Sequence, residues 1–355
     1  MNVTVHSEEA WCAFVTRVSP HAVYHTQRAV LVVVVEADRA WLPPWISDRS
    51  ARGEQPTEAA QGSASTLASM RPGPLLSLLL GALSLCVQGY TVDQEHSLQF
   101  RGPEASMFGY SVLLHRHKAQ SWVVVGAPVA NSSDPSLPPP GGLYRCSLQD
   151  HAHSCVPMRA EVSSCGKTCE GESAHQWLGV SLSRQPGAQG GHVLACAHRW
   201  KNVYYSQKDG QNNKLPNGVC FRYGADLQHS QPLIPCYRDH QRKFGEDYGS
   251  CQAGISNVLT EELIVMGAPG TSYWTGSVLV YNTSSGVVSS YVDDHSTTVS
   301  FGSYLGYSVG AGHFLSASSV EVVGGAPQYN QRGKERSSRA EGHRTWRDTR
   351  TEEDQ

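Results

Sequence analysis

Gly306-Tyr307-Ser308-Val309-Gly310 has the spelling of a nucleophile elbow, the G-x-S-x-G turn whose serine attacks an acyl carbon. That chemistry needs a strand–turn–helix around Ser308 and a histidine to take its proton. His313 is too near along a strand-rich stretch, and His343 lies in a charged tail. Gly109-Tyr110-Ser111-Val112 repeats the spelling without the second glycine, so the pattern reads as a repeated strand start. Gly166-Lys167-Thr168 ends like a phosphate-binding loop, but Glu161 occupies the place of that motif's first glycine. Cys165 and Cys169 flank it, which favours a stapled loop. As half of a zinc site they lack a second half at suitable spacing. His115-x-His117 and His151-x-His153 would each set two imidazoles on one side of a strand. No third ligand is placed near either pair, so exposed loop histidines are expected. No D-x-D-x-D-G loop offers a hard cation its alternating oxygens, and no intrinsic metal is expected.

The formal net charge of -3 gives no electrostatic footprint for nucleic acid. Residues 70–89, MRPGPLLSLLLGALSLCVQG, read as a secretory signal peptide: a basic start at Arg71, an apolar run, then small residues. The run is too short to span a bilayer. Eight cysteines follow it, at 146, 155, 165, 169, 196, 220, 236 and 251. An even number behind a signal argues for disulfides in an oxidising compartment. Neighbour spacing suggests Cys146–Cys155, Cys196–Cys220 and Cys236–Cys251. Cys165 and Cys169 are left for each other or for another extracellular cysteine, and sequence alone does not fix the connectivity. The sequons at Asn131 and Asn282 suit glycosylation in the same compartment.

The elements that position these residues fall into zones. Residues 1–69 share no repeat with the rest and read as a disordered segment, or as upstream sequence translated with the protein. Residues 335–355 are highly charged, cannot bury a core and are expected to be disordered. Between them, residues 90–334 alternate short apolar runs with glycine, proline, asparagine and serine, an all-β pattern rich in turns.

That zone carries a repeat. FGYSVLLHRHKAQSWVVVGAP covers 108–128, FGEDYGSCQAGISNVLTEELIVMGAP 244–269 and YLGYSVGAGHFLSASSVEVVGGAP 304–327, with a degenerate copy, WLGVSLSRQPGAQGGHVLACAH, over 177–198. Units of this size built from short strands suggest propeller blades of about four strands. VVVGAP and IVMGAP suit strands buried on both faces. The glycine permits close chain approach, and the proline, lacking an N–H, ends the ladder.

These FG…GAP units resemble the N-terminal β-propeller of integrin α subunits, most closely the α-4/α-9 branch. CGKTCEGESAHQWLGVSLSRQPG, CAHRWKNVYY, MGAPGTSYWTGS and FGSYLGYSVGAGHF carry the resemblance across residues 90–334. It implies an incomplete seven-bladed integrin-type β-propeller of about the first three to four FG-GAP units. Apolar faces and strand edges would then stand open, and the segment would fold poorly alone. By the same resemblance the three suggested disulfides gain support, and calcium belongs to later blades only. Tyr273, Trp274 and Gly276, on the loop after the third GAP, would bind ligand, with Phe301 and Lys243 flanking the groove. Exposed Tyr and Trp give much contact area at low entropic cost.

The resemblance further implies an adhesion receptor head without catalysis. Its partners would be an integrin β subunit and extracellular ligands such as fibronectin, bound at the cell surface. A truncated or secreted decoy fragment is the alternative. A secreted hydrolase borrowing FG-GAP blades is another, although residues 1–69 offer it no ligand cluster.

Overall fold

The computed structural model describes residues 2–7, 31–36, 97–149, 154–187, 190–208, 210–240, 243–292, 301–339 and 347–348. The signal-like segment 70–89 and His151, His153 and His343 lie outside the described residues. Strand β1 (Asn2–Ser7) pairs antiparallel with β2 (Leu31–Glu36) and with β3 (Ser97–Arg101). Two strands therefore stand where disorder was expected, the second on a run of branched valines that favours extended backbone.

Four four-stranded antiparallel meanders follow. The first comprises β4 (Ser111–His117), β5 (Gln120–Ala127), β6 (Gly142–Ser147) and β7 (Cys155–Pro157). After a short β8 (Gly171–Glu172), the second has β9 (Ser181–Arg184) and β10 (Val193–Ala197). The ribbon β11 (Lys201–Ser206) and β12 (Gln211–Leu215) then intervenes before β13 (Val219–Tyr223) and β14 (Ser230–Leu233) complete that sheet. The third comprises β15 (Asn257–Leu259), β16 (Leu263–Ala268), β17 (Ser277–Asn282) and β18 (Val288–Val292), with a single helical turn, α1 (Thr271–Trp274), between β16 and β17. The fourth comprises β19 (Ser308–Gly312), β20 (Glu321–Ala326), β21 (Lys334–Arg339) and β22 (Arg347–Asp348). These are the blades of a partial β-propeller.

Polar residues 335–339 are thus in a strand, against the expectation of a featureless tail. Register along β20 supplies the reason: Lys334 to Arg339 pair with Ala326 back to Glu321, and backbone pairing asks nothing of the side chains.

The second strand of each of the first three blades is buried on both faces, and its period of two feeds two cores. Trp122 and Val124 of β5 meet Val193, Ala195 and Phe221 of the second blade, while Val123 and Val125 turn to Phe100 and Phe108. Leu194 and Cys196 meet Ile264 and Met266 across the next interface, and Val265 meets Val309 and Val322 across the last. β5, β16 and β20 all stop at the residue before Pro128, Pro269 or Pro327.

A backbone signature marks each blade's entrance. Met107, Trp177, Gln252 and Tyr304 have positive φ, and so do Gly109, Gly179, Gly254 and Gly306 two residues later. In the third unit this place belongs to Ala253-Gly254. Phe244-Gly245, which the sequence suggests as the unit's start, lies outside it.

Two residues past each glycine is the serine that mimics a nucleophile. Ser111 Oγ donates to Gly179 O at 2.7 Å, Ser181 Oγ to Gly254 O at 2.7 Å and Ser256 Oγ to Gly306 O at 3.0 Å. Each hydroxyl clamps one blade to the entrance of the next. Ser308 holds the fourth such place, exposed on a strand instead of a strand–turn–helix, so it lacks the setting of a nucleophile elbow. Ser181→Ala is expected to cost about 1 kcal/mol in a denaturation midpoint, because Gly254 O loses its donor. Ser308→Ala is expected to leave the midpoint in place.

Among the described residues four disulfides occur: Cys146–Cys155, Cys165–Cys169, Cys196–Cys220 and Cys236–Cys251. Cys196 and Cys220 face each other directly across β10 and β13. The sequons lie on loop and strand end, Asn131 exposed and Asn282 half-buried with its side-chain oxygen accepting from the N–H groups of Ser284 and Ser285.

Candidate ligand-recognition surface

Glycine, threonine and serine around α1 let the chain turn sharply, and hydrogen bonds hold it in a strained path. Ser272, Tyr273 and Trp274 take φ of 46°, 55° and 63°, a region that side chains avoid. Thr271 Oγ1 donates to Ala268 O at 2.9 Å and lies 2.7 Å from Ser277 Oγ. The N–H of Ser272 donates to Asp247 O, and that of Tyr273 to Gly245 O, both at 2.7 Å. The N–H of Gly270 reaches Cys251 O, so the turn is fastened to the loop that Cys236–Cys251 closes. On its far side, Trp274 O and Thr275 O accept from Tyr304 and Leu305 of the fourth blade.

This scaffold brings four of the five expected residues together. The Tyr273 and Phe301 rings meet edge-to-face with centroids 5.4 Å apart. Trp274, half-buried, tilts against Phe244 at 5.7 Å. Tyr273 is 44% exposed, Phe244 55% and Phe301 62%, a concentration of aromatic surface on one rim. Lys243 Nζ binds Glu246 Oε1 at 2.8 Å, and the Tyr273 hydroxyl donates to the same oxygen at 3.4 Å. Glu246 raises the Lys243 ammonium above its usual range, first through that hydrogen bond.

Gly276 is the fifth, and it differs. It is buried at φ +88°, in a bridge to Leu305, and a Cβ there would overlap the Leu305 backbone. Gly276 shapes the loop and presents no surface of its own. Phe244 is the residue that sequence reading assigned to the repeat; its departure from the φ signature, beside Lys243, is what sets it in the rim.

The His115-x-His117 pair resolves differently from expectation. His115 is buried, stacked on Trp122 with centroids 6.0 Å apart, and its Nε2 lies 2.7 Å from Ala225 O of the second blade. Its place on the inward face of β4 explains this. His117 is half-buried. Among the described residues, no group of three His, Cys, Asp or Glu side chains is placed to hold a metal.

No family model matches the chain. Integrin alpha-4 of Xenopus laevis is 47% identical over 251 residues, 69% of this chain and 24% of the relative. The chain belongs to the integrin α family, on its α-4 branch. Integrin alpha-7 of Rattus norvegicus is 31% identical over 73% of this chain and 24% of its own, and integrin alpha-6 of Gallus gallus 29% identical over 75% and 27%. The chain spans about a quarter of the length of these integrin relatives. Among the described residues no helix is long and apolar enough to cross a membrane.

One buried group makes the stability of this integrin segment depend on pH. His198, edge-on to Trp177, is pushed down to about 4 by burial, with help from the charge of Arg199. The unfolded chain takes up this proton near the ordinary histidine range and the folded chain does not, so stability is whole above that range and falls as pH drops toward 4. The loss is expected to reach about 3 kcal/mol at most. His198→Asn is expected to flatten that part of a stability profile measured by denaturation between pH 7 and 4.

Proposed function

We propose that this integrin α segment is the ligand-facing part of an adhesion-receptor head that works with an integrin β subunit at the cell surface. The observation that carries the reading is the exposed aromatic rim of Phe244, Tyr273 and Phe301, built on a turn at 271–275 that backbone bonds fasten to the 245–251 loop and the fourth blade. Such preorganised aromatics bind with little entropic loss. The ligand would be an extracellular matrix or cell-adhesion protein such as fibronectin. Its acidic side chain would bind a metal held by the β subunit, and the rim would supply lateral contacts that set specificity. No catalysis and no nucleic acid enter this reading. Calcium would belong to other blades, and residues 70–89 would direct the chain into the secretory pathway.

Co-expression with individual β subunits tests it. Immunoprecipitation from surface-labelled cells should recover a β subunit, and those cells should attach to immobilised fibronectin fragments more than cells with the β subunit alone. Recovery of the chain without any β subunit would overturn the receptor reading. The open side of β20 favours a second reading in that event. Val323 and Gly325 are half-exposed where the matching positions in β5 and β16 are buried, as suits a fragment retained or secreted without receptor function.

A further inference from the structure

Among the described residues, three of the four disulfides have at least one cysteine in a blade core. Cys196, Cys220, Cys236 and Cys251 are fully buried, and so is Cys146 of the Cys146–Cys155 bridge. Cys165–Cys169 is different at both ends. Each cysteine is partly exposed, and Ser163, Ser164, Gly166, Lys167, Thr168 and Glu170 around them are exposed. The bridge spans a sequence separation of only 4, the shortest of the four, on a loop outside the blade sheets whose inner side packs on the core between the first two blades and whose other side faces solvent. Lys167, inside the ring, favours the thiolate that leaves when the bond is attacked.

What the ring holds is specific. The Tyr237 ring lies against Gly166 so closely that a Cβ there would overlap it. The Thr168 N–H donates to the Tyr237 hydroxyl at 3.0 Å, and Thr168 Oγ1 lies 3.1 Å from the same oxygen. Tyr237 in turn donates to Asp239 Oδ1 at 2.6 Å, and the His240 N–H donates to Thr168 Oγ1 at 3.2 Å. Asp239 is held below the usual carboxylate range first by Tyr237 and further by Lys167. Residues 237–240 thus rest on the ring 165–169, and the same chain runs on to Phe244, which meets Trp274, and to Gly245, whose carbonyl accepts from the Tyr273 N–H.

We propose that Cys165–Cys169 is a site of thiol–disulfide exchange, reduced ahead of the other three bridges, and that its closure orders residues 237–240 and 243–246. The reductant is a dithiol, protein or small molecule. One of its thiolates attacks Cys165 or Cys169 and forms a mixed disulfide, releasing the other cysteine as thiolate. Its second thiol then closes its own disulfide and frees the attacked cysteine. Two electrons pass from the dithiol, which leaves oxidised. Its two protons end on Cys165 and Cys169.

The test needs no ligand, so it stands apart from the receptor reading. The full chain, isolated from expressing cells, is treated with graded dithiothreitol, alkylated and digested, and labelling is read at each cysteine by mass spectrometry. Amide hydrogen exchange over 236–249 is followed on the same samples. Labelling of Cys165 and Cys169 is expected at about tenfold less reductant than at Cys196 and Cys220, with faster exchange over 237–246. Tyr237→Phe, which keeps every disulfide, is expected to quicken the same amides and to remove the further effect of the reductant. Labelling of Cys165 and Cys169 together with the buried cysteines would overturn the proposal. So would early labelling with exchange unchanged, or a Tyr237→Phe chain whose 237–246 amides exchange as in the parent.

Discussion

Gly267→Ala is expected to destabilise the segment by more than about 3 kcal/mol and to abolish its secretion. Gly267 lies in the GAP run of β16, opposite Val278, with Val265 and Met266 beside it in two different cores. A methyl group there would overlap the Gly306 carbonyl and crowd Ser256 Oγ. Neither neighbour can yield cheaply. Gly306 O accepts the Ser256 clamp, and the Gly306 N–H is committed to Gly325 O at 3.0 Å. Moving that backbone pulls Leu305 from the interface core and breaks the bridge to Gly276. Gly126→Ala should behave alike, because its Cβ would overlap Gly179 O. Gly325→Ala is the contrast. It occupies the matching place in β20, but the close neighbour there is the Ser308 hydroxyl, which can rotate away. Secreted yield and thermal midpoint of the three variants separate blade contact from any general intolerance of GAP glycines. Equal losses at 267 and 325 would contradict the argument.

The same contrast shows what the sequence could and could not disclose. Strands buried on both faces announce themselves as unbroken apolar runs, and VVVGAP and IVMGAP are found as such. Cysteine spacing led to the observed disulfides because each pair closes a local loop or a neighbouring strand pair. The serine clamp was hidden. A hydroxyl that bonds a carbonyl 68 or 73 residues away has no local signature, and G-x-S-x-G discloses only a repeated strand start. His115 was misplaced for a related reason, since polarity pointed to water while strand parity turned it inward onto Trp122. Charged residues 335–339 misled in the opposite sense, because pairing with β20 is a property of backbone. Phe244 was read as part of a repeat by its glycine neighbour, and only the φ pattern of Ala253-Gly254 removes it to the rim.

At that rim, Tyr273→Ala is expected to weaken ligand binding by about thirtyfold or more, a hot-spot loss near 2 kcal/mol. The ring is 44% exposed, so the fold has little to lose, and the backbone bonds to Asp247, Gly245 and Tyr304 do not involve the side chain. Tyr273→Phe should cost far less, because the hydroxyl reaches Glu246 only at 3.4 Å. Phe301→Ala removes the edge against which Tyr273 stands, and its effect should depend on Tyr273 being present. A double-mutant cycle between them is expected to show coupling of about 0.5–1.5 kcal/mol. Lys243→Ala should matter little, since its pair with Glu246 is exposed and screened by solvent. On the proposed receptor reading, titrating a soluble adhesion ligand against each variant co-expressed with a β subunit, with thermal midpoints as the folding control, reads all four. The order matters more than any single value. Tyr273 above Phe301 above Lys243, at constant midpoint, is the order of an apolar contact surface. Lys243 first would mean that charge governs recognition and that the aromatic rim serves another partner.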